Sequence, residues 1–261
     1  MYLYLPTGLS HLSAWRLTQL SAAIYPWTFV SSWLLYFFLH RFKQYIANNL
    51  VLSFLNDVFV QRLGYPLFTI AYLSHAVYCV GDADNPRGRL VSLAFKFCII
   101  TLAGVIFHGS FIRFSLVELV NKATGGHCEG PPEHVSMNQC LANANQVWVD
   151  GFDISSHYYF LSSSSVMLLN NAFLYYTRPS DIEEQHETPS PDVIQKARKV
   201  VAYLSGFLLV IWYFEFVITS IFFHTIVEKF FGLIGVPMAL VTIHISDKVF
   251  KLDTESEEVE T

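Results

Sequence analysis

Six long apolar stretches, separated by polar turns and loops, decide what this chain can fold into. The first, residues 22–39, reads AAIYPWTFVSSWLLYFFL and carries no charge. A helix of about 20 apolar residues crosses the hydrocarbon layer of a bilayer, and that layer satisfies no exposed backbone polar group. Charged residues make up only 14% of the chain and hydrophobic ones 53%, whereas a soluble domain carries about 25% charged residues. Too little polar surface is left to clothe a water-soluble globule of this length. The chain therefore reads as an all-α, polytopic membrane protein. Its 16 Lys plus Arg form no basic stripe and are outnumbered by 21 Asp plus Glu, so no nucleic-acid partner is expected.

The other apolar stretches are residues 65–80, 90–112, 154–176, 200–223 and 230–245. Between the first two lies HRFKQYIANNLVLSFLNDVFVQRLG, where Asn48, Asn49, Asn56 and Asp57 argue against a simple crossing. This segment is expected to form an additional interfacial or re-entrant helix. Lys96 lies near the basic turn that precedes its span and is expected to snorkel towards it. Within residues 154–176, Ser162, Ser163, Ser164, Ser165, Asn170 and Asn171 must face protein and not lipid. The organisation that follows is an N-terminal arm (1–21), a single transmembrane catalytic domain (22–246) and an acidic tail (247–261).

Six crossings put both termini on one side. That side would hold Arg16, Arg87, Arg89, Arg178, Lys196, Arg198, Lys199, Lys248 and Lys251. The other would hold Arg41, Lys43, Arg62, Arg113, Lys122 and Lys229. The excess of positive charge predicts cytosolic termini. The first residues lack a basic segment followed by a compact apolar core, so no cleaved signal peptide is expected and the first helix would act as a signal anchor. Cys128 and Cys140 fall in the long polar loop on the far side, where an oxidising lumen makes them a candidate disulfide.

Two histidines carry the chemistry. His157 opens one apolar stretch, in GFDISSHYYF, and His224 closes another, in SIFFHTIVEKFFG. Antiparallel helices would bring both imidazoles to the same membrane face. Asp153 precedes His157 by four residues and Glu228 follows His224 by four, so each histidine has a candidate orienting carboxylate on its own helix face. One imidazole attacking and one protonating a leaving group suits phosphoryl transfer. Ser155 and Ser156 are candidate donors to phosphate oxygens. Glu215, in mid-span, is a costly carboxyl group of the kind that tends to be functional. No cofactor is expected. Dependence on a divalent cation stays open, because the carboxylates suit either an imidazole or a metal ion.

The string GFDISSHYYFLSSSS and the pattern from Glu215 through His224, Thr225, Glu228 and Lys229 to Gly232 resemble the two signatures of the fat storage-inducing transmembrane family. NDVFVQRLGYPLFT is similar to a third family segment, and the cysteine-bearing loop ahead of FDIS fits as well. The resemblance covers roughly residues 20–250 and implies an endoplasmic reticulum membrane protein with six spans, cytosolic termini and a core like that of lipid phosphatases. It implies an acyl-CoA diphosphatase that acts on fatty acyl-CoA among membrane lipids. The products would be acyl 4'-phosphopantetheine and adenosine 3',5'-bisphosphate, in support of lipid droplet formation and ER lipid homeostasis. Carried onto this sequence, His224 would be the nucleophile and His157 the general acid, with Arg113 and Lys229 as phosphate contacts. Ser156 stands where the family often has glycine. Two other functions fit the residues: a non-catalytic protein that binds triacylglycerol or diacylglycerol and partitions it into droplets, and a broader lipid phosphate phosphatase. The carboxylate–histidine pairs favour catalysis, since a neutral-lipid site needs none of them.

Overall fold

The computed structural model describes residues 13–81, 85–108, 115–130, 136–141, 146–176 and 192–250. It is mostly helical. Helix α1 (Ala14–Ala22) leads into α2 (Ile24–Leu39). The break between them falls where the ring of Pro26 would meet the carbonyl of Ala22. A 3-10 turn (His40–Phe42), α3 (Lys43–Ala47), α4 (Leu50–Asn56) and a wide π turn (Asp57–Arg62) then lead into α5 (Gly64–Gly81). The segments Leu50–Arg62 and Gly64–Val80 meet at 63°, a bend that Pro66 enforces by clashing with the carbonyl of Arg62. Residues 40–64, where an additional interfacial or re-entrant helix was expected, form this bent, broken stretch, and its helices run on into the apolar helices on either side.

Helix α6 (Pro86–His108) starts on a proline, which suits a first helical position. After it come α7 (Leu116–Ala123), β1 (His127–Glu129), α8 (Met137–Leu141) and β2 (Val147–Val149). β1 and β2 pair antiparallel, with Cys128 opposite Trp148. The chain ends in α9 (Ser156–Tyr176), α10 (Asp192–Phe222), α11 (Ile226–Gly232) and α12 (Gly235–Val249). At 1.5 Å per residue α10 is roughly 46 Å long, more than a hydrocarbon layer is thick. Its first turns take in residues that the sequence assigned to a loop.

Among the described residues, four helical stretches are long and apolar enough to cross a membrane: Ala14–Ala47, Pro86–Phe107, Lys196–Phe222 and Ile226–Val249. The bent pair makes a fifth if it counts as one. The expected span at 154–176 is not among them, because its helix is too rich in serine and asparagine. Helix α9 is instead the centre of the bundle, packed by α1, α5, α6, α10, α11 and α12. Ser162, Ser163, Ser164, Ser165, Asn170 and Asn171 are all buried there. Part of their polarity is spent within the helix: the hydroxyls of Ser162 and Ser163 donate to the carbonyls of Tyr158 (2.6 Å) and Tyr159 (2.7 Å), one turn back.

Two boundaries shift. Leu17, Thr18 and Ala22 of α1 are buried, and α1 packs on α9, so the N-terminal arm joins the bundle from Ala14 onward. Asp247, expected in the acidic tail, is a buried residue of α12. It holds Lys96, which does not snorkel: its side chain is fully buried with Nζ 2.5 Å from Asp247 Oδ1. A fully buried ammonium needs a partner more than it needs reach, and α12 supplies one. The rest of the tail, 251–261, lies outside the described residues.

Candidate active site

The two histidine motifs meet at one end of α9. The residues between α10 and α11 place His224 at φ 57°, in the left-handed region. Histidine is one of the few residues enriched there, and such conformations concentrate at functional sites. The turn is fixed from its far side by Thr225, the N-cap of α11. The Glu228 N–H donates to Thr225 Oγ1 (3.3 Å), and the Thr225 N–H donates to Glu228 Oε2 (2.7 Å). This capping box leaves Glu228 with a second oxygen, which accepts from the Asp153 N–H (3.2 Å). The Glu228 carbonyl accepts from the Ser155 N–H (3.3 Å). One glutamate thus ties the segment before α9 to the turn that carries His224.

The approach is close because α11 ends in glycine. A Cβ on Gly232 would stand 2.5 Å from the Ser155 carbonyl oxygen and 2.7 Å from Tyr158 Cβ. Deeper in, Tyr158 hydrogen bonds with Ser220, whose own hydroxyl donates to the Phe216 carbonyl (2.7 Å), so the tyrosine is the donor.

Both carboxylates converge on one imidazole. His224 Nδ1 lies 3.7 Å from Glu228 Oε2 and 3.9 Å from Asp153 Oδ2. Asp153 does not serve His157, as its spacing suggested. Helix α9 begins at Ser156, so Asp153 lies ahead of the helix, off any i,i+4 face, and points across the cleft. His157, in the first turn of α9, is close enough to His224 to interact with it electrostatically. The site opens to the outside, with side-chain exposure of 40% at Asp153 and 22% at His224. Burial pushes the Asp153 carboxyl above its ordinary range; His224 acts against that shift and Glu228 adds to it.

The other sequence-predicted residues fall elsewhere. Ser155 is fully buried, and its hydroxyl accepts from the Tyr158 N–H (3.4 Å), which caps α9. Ser156, half-buried, is the first residue of α9. Lys229 is buried and donates from Nζ to the Ser220 carbonyl (2.7 Å), which satisfies one of the last carbonyls of α10. Glu215 is buried in α10, and its Oε1 has no hydrogen-bond partner among the described residues. No ion pair among the described residues joins it to the histidines. Arg113 lies outside the described residues. Cys128 and Cys140 are joined in a disulfide. Among the described residues, no group of three or more His, Cys, Asp or Glu is placed to hold a metal ion.

Sequence reasoning missed two features. Lys43, at the start of α3, is exposed, and its charge acts on Lys229 more weakly than that of Glu228 does. Its place in the polar stretch after the first span was the only signal. The other is the pairing of Asp153 with His224. It was legible only by noticing that FDIS precedes the helix and that Thr225 and Glu228 form a capping box.

The chain matches the family model described as fat storage-inducing transmembrane protein over residues 42–244. No curated protein and no solved structure matches it. The matched stretch takes in the bent segment, the disulfide-bearing loop, both histidines and both carboxylates, and the chain belongs to the fat storage-inducing transmembrane family.

Proposed function

We propose that this protein is a membrane phosphoanhydride hydrolase that splits fatty acyl-CoA into acyl 4'-phosphopantetheine and adenosine 3',5'-bisphosphate. Membership of the family fits a role in fat storage and lipid droplet formation. The observation that carries the finer reading is the convergence of Asp153 and Glu228 on His224 Nδ1, with His157 beside it. Carboxylates at Nδ1 hold the proton there and leave Nε2 as the nucleophilic nitrogen. His157 is the remaining imidazole and takes the role of proton donor that the family resemblance implies. In this reaction His224 Nε2 bonds to one phosphorus of the anhydride. The bond from that phosphorus to the bridging oxygen breaks, and the leaving phosphate keeps the electron pair and takes a proton from His157. Water then cleaves the phosphorus–nitrogen bond and returns the proton to His157. Exposed Lys43 supplies positive charge at this end of the bundle. The acyl chain stays in the bilayer, where each buried CH2 contributes about 0.8 kcal/mol.

The same reading gives six crossings and a lipid-phosphatase-like core. The stretches Ala14–Ala47, Leu50–Val80, α6, α9, α10 and α12 each cross once, and α9 is shielded by the others. The histidine end and the disulfide segment then share the lumenal side of the endoplasmic reticulum membrane, and both termini are cytosolic.

The test is hydrolysis of long-chain acyl-CoA by purified protein in detergent. His157→Ala and His224→Ala are run beside the parent, with circular dichroism to show that each is folded. The parent is expected to release adenosine 3',5'-bisphosphate and both variants to fail. Lipid binding without hydrolysis, unchanged in both variants, would overturn the enzymatic reading in favour of neutral-lipid partitioning.

A further inference from the structure

Residues 115–150 lie outside both histidine motifs, yet they lead directly to Gly151, Phe152 and Asp153. The Cys128–Cys140 disulfide closes a small unit of α7, α8 and the β1–β2 pair. Both cysteines are buried, and the Met137 N–H of α8 donates to Glu118 Oε1 of α7 (3.0 Å). The unit is built around Asn121, which is 1% exposed. Its Oδ1 accepts from Trp148 Nε1 (2.8 Å), and its carbonyl accepts from the Gly126 N–H (2.9 Å). The chain leaves β2 through Asp150 (φ 56°) and Gly151 (φ 79°). A Cβ on Gly151 would stand 2.5 Å from Asn121 Oδ1, so the exit lies directly on the asparagine. The next residue is pinned as well: the Phe152 N–H donates to Thr124 Oγ1 (2.7 Å), and that hydroxyl donates to the Val120 carbonyl (2.8 Å). One residue further on, the Asp153 N–H is held by Glu228.

We infer that this disulfide-closed unit is a positioning arm for the reaction centre. It sets the Asp153 carboxylate against His224, so the activity depends on Thr124, on Asn121 and on the oxidised state of Cys128 and Cys140. Reduction by a dithiol would deliver two electrons and two protons, convert the disulfide to two thiols and oxidise the dithiol to its own disulfide. The covalent tie between β1 and α8 would then be lost, and with it the fixed approach of Asp153. This inference rests on His224 being the reactive histidine. It does not require the substrate to be acyl-CoA.

The experiment uses the full chain in detergent and two readouts. The first is steady-state hydrolysis of oleoyl-CoA by the parent, Thr124→Val, Thr124→Ser, Asp153→Asn, the double variant Thr124→Val/Asp153→Asn, and Cys128→Ala/Cys140→Ala. Thr124→Val is expected to lower kcat about fivefold with KM unchanged, within the range that coupled neighbours show. Thr124→Ser, which keeps the hydroxyl, should match the parent. The double variant should be no slower than Asp153→Asn alone. The second readout is the rate at which diethyl pyrocarbonate modifies His224, followed by mass spectrometry with exposed His40 as the internal control. It needs no turnover, so it stands even if the parent hydrolyses nothing. Thr124→Val and the cysteine pair variant should change the rate at His224 in the same direction as Asp153→Asn and leave His40 alone. Multiplying losses in the double variant, or a His224 rate that ignores Thr124 and the disulfide, would overturn the inference.

Discussion

The two ends of α9 treat polar residues in opposite ways. Towards its C-terminal end, Lys96 Nζ reaches Asp247 Oδ1 (2.5 Å) and Asn170 Oδ1 (3.3 Å), and Asn170 Nδ2 donates to Thr18 Oγ1 (3.2 Å). Ser92 and Ser246 hydrogen bond alongside (2.8 Å). All of these side chains are buried, and each spends hydrogen-bonding capacity on the others. At the N-terminal end, two imidazoles and two carboxylates approach one another without closing: the shortest carboxylate–imidazole distance is 3.7 Å, and Asp153 and His224 are partly exposed. The first arrangement is a lock, since buried charges that satisfy each other hold helices in one register. The second leaves its polar groups within reach of solvent. Polarity inside a membrane bundle therefore does not by itself mark function. What marks it is polarity left unspent where solvent can reach.

Alanine at His224 should produce the largest effect. In the proposed reaction this change removes the attacking nitrogen and should cut hydrolysis by at least about 10³-fold, roughly 4 kcal/mol of barrier. His157→Ala should cut it about 10²- to 10⁴-fold, as removal of a general acid does. Thermal unfolding of both variants should stay close to the parent's, because neither imidazole takes part in a hydrogen bond that holds helices together.

The lock should behave the other way round. Lys96→Met leaves Asp247 buried and unpaired, which should destabilise the protein by about 3–5 kcal/mol. Lys96→Met/Asp247→Leu removes both charges and should recover most of that loss. In each case the activity per folded molecule should match the parent's. A chemical defect in the folded double variant would show that the two ends are coupled and that the lock is part of the reaction centre.

Gly232→Ala probes the seam between the motifs. Its methyl group would press on the Ser155 carbonyl at 2.5 Å, and neither that backbone nor Tyr158 can give way cheaply. Overpacking of this kind destabilises by about 1–3 kcal/mol. The displacement falls on the start of α9, the turn that carries His157, so hydrolysis should drop in the molecules that remain folded. A stability loss with undiminished turnover would show that the seam tolerates movement.

Much of this was legible in the chain. The apolar stretches, the broken segment at residues 40–64, the inward-facing serines and asparagines of α9 and the meeting of the two histidine motifs all follow from composition and spacing. Three things did not, each for a physical reason. Helix α9 fails as a lipid-facing span because its neighbours, and not its own side chains, supply its apolar surroundings. The Lys96–Asp247 pair joins residues 151 positions apart, beyond the reach of any local pattern. Asp153 was assigned to the wrong histidine because i,i+4 spacing holds only inside a helix, and the Ser155 cap starts α9 after Asp153.

That reassignment sets the smallest and most specific expectation. Asp153→Asn removes one of two carboxylates from His224 and leaves Glu228 in place, so the loss at neutral pH should be about tenfold, roughly 1.4 kcal/mol. The pH dependence separates a charge effect from a packing one. Burial raises the Asp153 carboxyl above its ordinary range. Activity that needs the ionised form should therefore fall, on acidification, at a higher pH than a free aspartate would give. Stability runs in the opposite direction. Between the unfolded and the raised folded values the folded protein holds more proton, so this group's contribution to stability is present on the acid side and is lost as pH rises through the folded value. In Asp153→Asn the acid limb of the rate profile should shift downward, and the stability contribution should vanish. An acid limb that stays in place would assign it to another group and would mean that Asp153 orients His224 by contact alone.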